Sequence, residues 1–280
     1  MARPRTSSGT AATPDRKRTG CPESPFLSPI NVAGACQTGR VQLKRFPVRR
    51  VVEHPLHAAR RDAWPATLQP VRQLLDEGLD LGPATVLVGE NGSGKSTIVE
   101  ALALAYGLSP EGGSTGARHS TRITESPLAD HLQLVRNPGT SRRGYFLRAE
   151  TMHGFYSYLE ANPSMSRMDV PFHEMSHGES FLSLIGDRFN GPGLWLLDEP
   201  ESALSFSGCL ALLAALQELL ASGTSQVVMS THSPLLARLP GARILDVGPW
   251  GFRSVEWEDL DLVRNWQAFL DSPDRYLRHL

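Results

Sequence analysis

The fold of this chain is decided by the stretch Gly89-Glu90-Asn91-Gly92-Ser93-Gly94-Lys95-Ser96-Thr97. It fits the pattern G-x-x-x-x-G-K-[ST], which requires a strand before it and a helix after it. A short apolar, β-branched run at 85–88 precedes the stretch, and apolar residues at helical spacing follow it as far as Gly107. The sequence therefore predicts a strand, a phosphate-binding loop and a helix in that order.

The chemistry of such a loop follows from its glycines, which let successive backbone N–H groups point at phosphate oxygens. The N-terminus of the following helix adds the positive end of its dipole. Lys95 is predicted to reach the β- and γ-phosphates, and Ser96 is predicted to place its hydroxyl on Mg²⁺. All of residues 89–97 are thus predicted to bind a nucleoside triphosphate.

Composition narrows the class of protein. The chain has 280 residues and a formal net charge of -1, so any nucleic-acid binding would need a local basic patch. No apolar run approaches the ~18 residues of a membrane span. The cysteines, Cys21, Cys36 and Cys209, form no C-x-x-C pair. Free thiols in a reducing cytosol are therefore expected, with no zinc site and no disulfide framework.

The first 39 residues differ in composition from the rest of the chain. They are rich in Arg, Pro, Ser and Thr and show no apolar periodicity, which predicts a disordered arm. A transit peptide or an anion-binding arm remain alternatives. Residues 40–280 are predicted to form the folded domain, which opens with strand-like segments at 41–52. Trp64 is interpreted as a core or loop residue, with stacking on a purine ring as the alternative.

Three apolar strands of the predicted domain each lead into polar side chains. The strand at 85–88 leads into the phosphate loop, the run 194–197 ends in Asp198 and Glu199, and the run 226–229 leads to His232. Continuous apolar runs are typical of strands buried on both faces of a parallel sheet. Their alternation with helices predicts a doubly wound α/β domain.

The remaining elements are simpler. Strands are also predicted at 128–135 and 144–149, and a last strand at 242–247. The tail 257–280 is interpreted as a helix that packs on the core, with a partner surface as the alternative.

Ligands of an open parallel sheet bind beyond the carboxyl ends of its strands. Asp198 is predicted to hold Mg²⁺, a hard cation that prefers oxygen ligands. Glu199 is predicted to orient and polarise the attacking water, and His232 to contact the γ-phosphate. Lys95, Glu199 and His232 are therefore the predicted catalytic residues.

The order of the motifs carries a resemblance to a known family. GENGSGKST at 89–97, MSHGES at 175–180, LWLLDEPESAL at 194–204 and STHSP at 230–234 resemble the nucleotide-binding domain of ATP-binding-cassette (ABC-type) ATPases. More narrowly, the chain is similar to small stand-alone AAA-class ATPases of bacteria, near the recombination, repair and defence branch. The resemblance implies ATP and Mg²⁺ as cofactors and a doubly wound P-loop NTPase fold. It also implies a small N-terminal antiparallel β element and a short helical signature subdomain at about 107–190.

The resemblance also assigns residues outside the three strand ends. Ser176, Gly178 and Glu179 match the signature motif, which in this family completes the ATP site of a second subunit. Glu150 falls where the family has its Q-loop glutamine and is implied as a metal ligand. Residues 201–204 match the D-loop, which lies between the two sites in this family. Four positions depart from the family pattern: His177 replaces the first signature glycine, Ser180 stands where transporters usually have Gln, Ser205 replaces the D-loop aspartate, and Glu150 is not glutamine.

The function implied is Mg²⁺-dependent ATP hydrolysis that opens and closes a head-to-tail homodimer, with DNA or a repair or defence protein as partner. Two alternatives stay open at this stage. One is the energising subunit of a membrane transporter, and the other is an ATP-gated binding module without catalysis. The choice of ATP over GTP is implied by the family alone.

Overall fold

A computed structural model describes residues 46–109, 113–114, 126–148 and 189–278. All of these residues belong to one compact unit, Leu43–Leu280. The predicted arm at 1–39, Glu150, the signature residues at 176–179 and most of the implied helical subdomain lie outside the described residues. Those assignments therefore stay predictions.

The described residues form ten strands and six α-helices. The strands are β1 (Val48–Glu53), β2 (Leu79–Asp80), β3 (Ala84–Val88), β4 (Gly113–Ser114), β5 (Leu132–Arg136), β6 (Gly144–Arg148), β7 (Gly193–Asp198), β8 (Ser225–Thr231), β9 (Arg243–Gly248) and β10 (Gly251–Val255). The α-helices are α1 (Gln69–Glu77), α2 (Lys95–Tyr106), α3 (Phe206–Ala221), α4 (Pro234–Ala237), α5 (Asp261–Asp271) and α6 (Pro273–Leu277). Short 3₁₀ turns occupy Pro127–His131, Pro200–Ala203 and Trp257–Asp259.

The main sheet has seven strands in the order β10-β9-β3-β8-β7-β6-β4. Strands β9, β3, β8, β7 and β6 run parallel, and the edge strands β10 and β4 are antiparallel to their neighbours. On one face Val86 packs in the same cluster as Leu212 and Leu216 of α3. On the other face Leu87 packs with Ile98 of α2. The doubly wound α/β fold predicted from the sequence is confirmed.

A second, smaller sheet confirms the expected N-terminal antiparallel element. Its strand order is β2-β1-β5, and both pairings are antiparallel. The buried amide of Gln226 on β8 ties this sheet to the main one. Its Oε1 accepts from the N–H of Val48 at 2.9 Å, and its Nε2 donates to the carbonyls of Val48 and Gly82 at 2.6 and 2.8 Å. This buried side chain therefore has its donors and acceptor satisfied.

Some predicted element boundaries were wrong. The strand predicted at 128–135 starts with a 3₁₀ turn, because Pro127 fits the first helical position and the Ser126 hydroxyl accepts from the N–H of Leu128. The strand at 242–247 is not the last one. Gly251, with φ of +90°, allows the chain to reverse, and β10 pairs antiparallel with β9.

The C-terminal helices pack on the core only at their beginning. Leu260 and Val263 are buried, as the sequence predicted for this tail. The prediction was wrong for the more distal apolar side chains, which are between 41% and 69% exposed: Trp266, Leu270, Tyr276 and Leu277. Within the part of the chain that is described, none of the helices combines the length and the apolar character that crossing a bilayer requires.

Candidate functional site

The phosphate loop lies between β3 and α2, as its sequence pattern requires. Gly92 and Gly94 adopt φ of +77° and +98°, a region that side chains rarely enter. Gly89 is needed for a different reason, because a Cβ atom there would lie 2.2 Å from the carbonyl oxygen of Val247 on β9. The glycines therefore let the loop turn sharply while it passes against the neighbouring strand.

Lys95 is buried at the first position of α2, with only 3% of its surface exposed. Its Nζ donates to the carbonyl oxygens of Gly89 and Glu90, each at 2.9 Å. Burial lowers the pKa of Lys95, while the carboxylates of Glu199, Asp198 and Glu201 act in the opposite direction. The ammonium group is thus held inside the loop, near three acidic side chains.

Asp198 is the last residue of β7, and its side chain is buried. Its Oδ1 accepts from the Ser230 hydroxyl at 2.5 Å, and its Oδ2 lies 3.4 Å from Nε of Arg148. Nη1 of Arg148 also binds Oε2 of Glu100 on α2 at 2.8 Å. Arg148 therefore bridges two carboxylates, a role that the sequence analysis missed. In the sequence, the signal for this role is a basic residue near the end of the strand predicted at 144–149.

The donor set near the loop suits Mg²⁺. Asp198 offers a carboxylate and Ser96 a hydroxyl, and hard divalent cations prefer such oxygen ligands. Among the described residues, no group of three or more His, Cys, Asp or Glu side chains lies together as a self-contained metal site. Mg²⁺ held here would therefore depend on phosphate and water oxygens for its remaining ligands, as is usual for this cation.

Glu199 and His232 come together although they are far apart in the sequence. Oε1 of Glu199 lies 3.2 Å from Nε2 of His232, and each side chain is 31% exposed. Glu199 has φ of +48°, in the left-handed region that non-glycine residues seldom adopt. Its N–H donates to the carbonyl of Ser230 at 3.1 Å, and its own carbonyl accepts from the N–H and the hydroxyl of Ser202. Backbone strain of this kind often marks a functional site.

Glu201 makes a contact that the sequence did not predict. Its Oε1 accepts from the backbone N–H of His232, and its Oε2 is buried without a hydrogen-bond partner. The family resemblance placed Glu201 in the D-loop match at 201–204 but predicted no contact with His232. The contact links the 3₁₀ turn Pro200–Ala203 to the segment that carries His232, so Glu201 fixes where the histidine backbone lies.

A cleft of about 210 Å³ opens beside these residues. Its lining includes Trp64 and Leu68, residues of the phosphate loop and of the start of α2, and Glu199. Trp64 lies in a loop, as one interpretation of the sequence had it, and is 57% exposed. The phosphate loop, the carboxylate of Glu199 and the accessible ring of Trp64 thus line one cleft. Such a cleft suits a phosphorylated ligand that also has a planar group.

Sequence comparisons with known proteins agree with these motifs. An AAA domain model matches residues 67–148. The zinc import ATP-binding protein ZnuC of Alkalilimnicola ehrlichii is 31% identical over 173 residues, or 56% of this chain. The cytochrome c biogenesis ATP-binding export protein CcmA of Paracoccus denitrificans is 32% identical over 181 residues, which cover 64% of this chain and 81% of that relative. A solved metal-chelate type ABC transporter in an inward-facing conformation is 20% identical with a TM-score of 0.43, over 80% of this chain and 89% of that one.

The extent of the match differs between relatives. The chain covers 65% of the length of the zinc import protein, slightly under two thirds. It covers 23% of ABC transporter F family member 4 of Arabidopsis thaliana, which is 28% identical over 177 residues.

Proposed function

Because this chain belongs to the ATP-binding-cassette family of P-loop ATPases, we propose that it binds ATP with Mg²⁺ and hydrolyses it. One observation carries the proposal. The carboxylates of Asp198 and Glu199 and the imidazole of His232 lie at the carboxyl ends of β7 and β8, next to the buried ammonium of Lys95. That is where an open parallel sheet binds its ligand.

In the proposed complex the backbone N–H groups of the loop and of the first turn of α2 donate to phosphate oxygens. Lys95 exchanges the carbonyls of Gly89 and Glu90 for the β- and γ-phosphates. Ser96 and Asp198 would hold Mg²⁺, whose charge offsets the negative charge that develops on the phosphates. Trp64 is proposed to stack on the base, which is the part of the ligand that the loop does not bind.

Glu199 is proposed as the general base. Its carboxylate borders the cleft, and its backbone is held by hydrogen bonds on both sides of the residue. In this role it accepts a proton from the water that attacks the γ-phosphorus atom. His232, 3.2 Å from Glu199, is proposed to donate from its ring to the γ-phosphate. Both groups act at the same end of the ligand.

We propose further that two copies associate head to tail, with ATP between them. The support is the match of Ser176, Gly178 and Glu179 to a motif that completes a second copy's site in this family. Each site would then be incomplete in the monomer, and hydrolysis would separate the copies. Hydrolysis would thus drive a conformational cycle of the two copies.

A mass measurement tests this association. Glu199→Gln protein with ATP and Mg²⁺ is expected to have twice the monomer mass by light scattering, because bound ATP would not be consumed. The same protein with ADP is expected to remain monomeric, and Ser176→Arg is expected to abolish the dimer without loss of ATP binding. A strictly monomeric Glu199→Gln protein in saturating ATP would contradict the association.

Glu201 is expected to act on the rate through His232. Glu201→Ala removes a charge-assisted hydrogen bond to the His232 N–H, and we expect kcat to fall about tenfold with little change in KM. Glu201→Gln retains an oxygen acceptor and should recover much of the rate. Steady-state phosphate release measures both. An unchanged kcat in Glu201→Ala would show that this contact does not position the histidine.

A second candidate concerns what the cycle drives. Two relatives are, by name, a zinc import and a cytochrome c biogenesis export protein, which favours an energising subunit of a transporter. The sequence motifs favoured a partner of the repair or defence class instead. Affinity capture with the Glu199→Gln protein in ATP separates the two. Recovery of one defined membrane protein would support the transporter role.

A further inference from the structure

A second cavity, of about 570 Å³, lies away from the nucleotide cleft. We name it the arginine groove, and the described residues that line it are Tyr106, Gly107, Arg136, Arg142 and Arg143. Three of these five residues have cationic side chains, and none of the five is acidic. Guanidinium groups that share a groove repel one another, so an anion there would be stabilised by all three.

The groove lies at the end of the main sheet opposite the phosphate loop. Arg142 and Arg143 directly precede β6, and Gly107 caps the C-terminal end of α2. The phosphate loop instead follows the carboxyl end of β3 and precedes the first residue of α2. The two sites are thus separated by the length of α2, roughly 18 Å for its 12 residues. A ligand in the groove would not compete with ATP.

Arg136 is held in place by Tyr106. Its Nη2 donates to the Tyr106 hydroxyl and to the carbonyl of Ser141, each at 2.9 Å. Its guanidinium carbon lies 4.4 Å from the centre of the Tyr106 ring. These contacts involve Nη2 and the face of the guanidinium, so the donors on Nε and Nη1 can bind a phosphate. Little side-chain entropy remains to be lost there on binding.

Arg142 and Arg143 add positive charge to the solvent-exposed side of the groove. Both are exposed, and the guanidinium of Arg143 lies 5.6 Å from the ring of Trp195. The ring of Tyr106, by contrast, is buried and covered by Arg136. Among the described residues that line it, the groove therefore offers cationic donors, and its aromatic ring has a face already covered by a guanidinium.

We propose that the arginine groove binds the phosphate backbone of duplex DNA without reading its sequence. Arginine forks match phosphate oxygens, and phosphate contacts alone carry no sequence information. DNA binding in the groove would add a binding surface to the proposed ATPase and would supply a substrate on which its ATP-driven cycle acts. It does not depend on hydrolysis, because binding can be measured without nucleotide.

The test is the salt dependence of binding to a fluorescent 30-bp duplex, measured by anisotropy with the full chain and no nucleotide. Each lost phosphate contact reduces the slope of log K against log salt by about 0.9. The exposed pair Arg142→Ala and Arg143→Ala is expected to reduce the slope by about 1.8 and to weaken binding about tenfold at low salt. Phosphate contacts made by other parts of the chain are the same in both proteins, so they cancel when the two slopes are subtracted. Arg238→Ala, an exposed arginine distant in the chain from the groove, is the matched control and should change nothing.

Two further measurements complete the design. Duplexes of unrelated sequence are expected to bind within about twofold of one another, since no base edge is read. Polyglutamate and inorganic phosphate are expected to compete poorly. Absence of DNA binding, a slope unaffected by the double substitution, or displacement by polyglutamate at equal charge would each overturn the proposal. Loss of ATPase activity with DNA binding retained would contradict the proposed function alone.

Discussion

Glu199→Gln protein is expected to bind ATP and to release phosphate about 10²–10⁴ times more slowly than the wild type, the usual range for loss of a general base. The amide retains the size of the side chain but cannot accept a proton from water. Single-turnover phosphate release measures the chemical step, and titration with a fluorescent ATP analogue measures binding. ATP affinity should stay within about threefold, because Glu199 borders the cleft and is not part of the phosphate loop.

The control for this change is Glu258→Gln, which removes the same charge from an exposed glutamate paired with Arg238. That variant should retain wild-type turnover. A wild-type protein that shows no turnover would favour the ATP-gated binding module instead. Full turnover in Glu199→Gln would remove Glu199 from the mechanism and leave the water without an assigned base.

Lys95→Ala is expected to weaken ATP binding about 100-fold. The ammonium contributes charge-assisted hydrogen bonds, each worth about 1.5–3 kcal/mol when its partner is charged, and no other lysine lies among the described residues. Removing it would also leave the carbonyls of Gly89 and Glu90 pointing into the cleft, where they repel phosphate oxygens. Calorimetric titration with ATP and Mg²⁺ measures the change.

A second variant separates binding from folding of the loop. Lys95→Met retains an apolar stem of similar length, so the first turn of α2 should still pack while the charge is lost. Both variants should lose affinity, and thermal unfolding should show that Lys95→Met remains folded. Arg264→Ala, which removes an exposed charge on α5, is the control. Wild-type affinity in both Lys95 variants would refute the role of this loop as the phosphate site.

Much of the fold was predictable, because its signals are local. The pattern at 89–97 demands its strand and helix, and the apolar runs before Asp198 and His232 are what buried parallel strands require. The boundaries that failed were those set by weak signals. β10 is short and contains little apolar alternation, and the 3₁₀ turn at Pro127–His131 depends on a single capping serine.

The tail shows a different kind of failure. Its apolar spacing was read correctly as helical, but spacing does not say what covers the helix. Leu260 and Val263 pack on the main core, whereas Trp266 and Leu270 extend past it. The burial of a side chain depends on which other elements pack against its helix, and the local sequence does not encode that packing.

The sequence by itself thus determined the residue types of the site and their order along the chain: a loop that holds phosphates, an acidic pair after one strand and a histidine after the next. Only the tertiary structure decided which side chains meet. In-register pairing of β7 and β8 sets Asp198 beside Ser230, and the turns that follow bring Glu199 and Glu201 to His232. Arg148 and the arginine groove likewise arise from elements far apart in sequence. Strand register and loop paths fix such contacts, and they follow from packing of the whole domain, about which a local pattern carries no information.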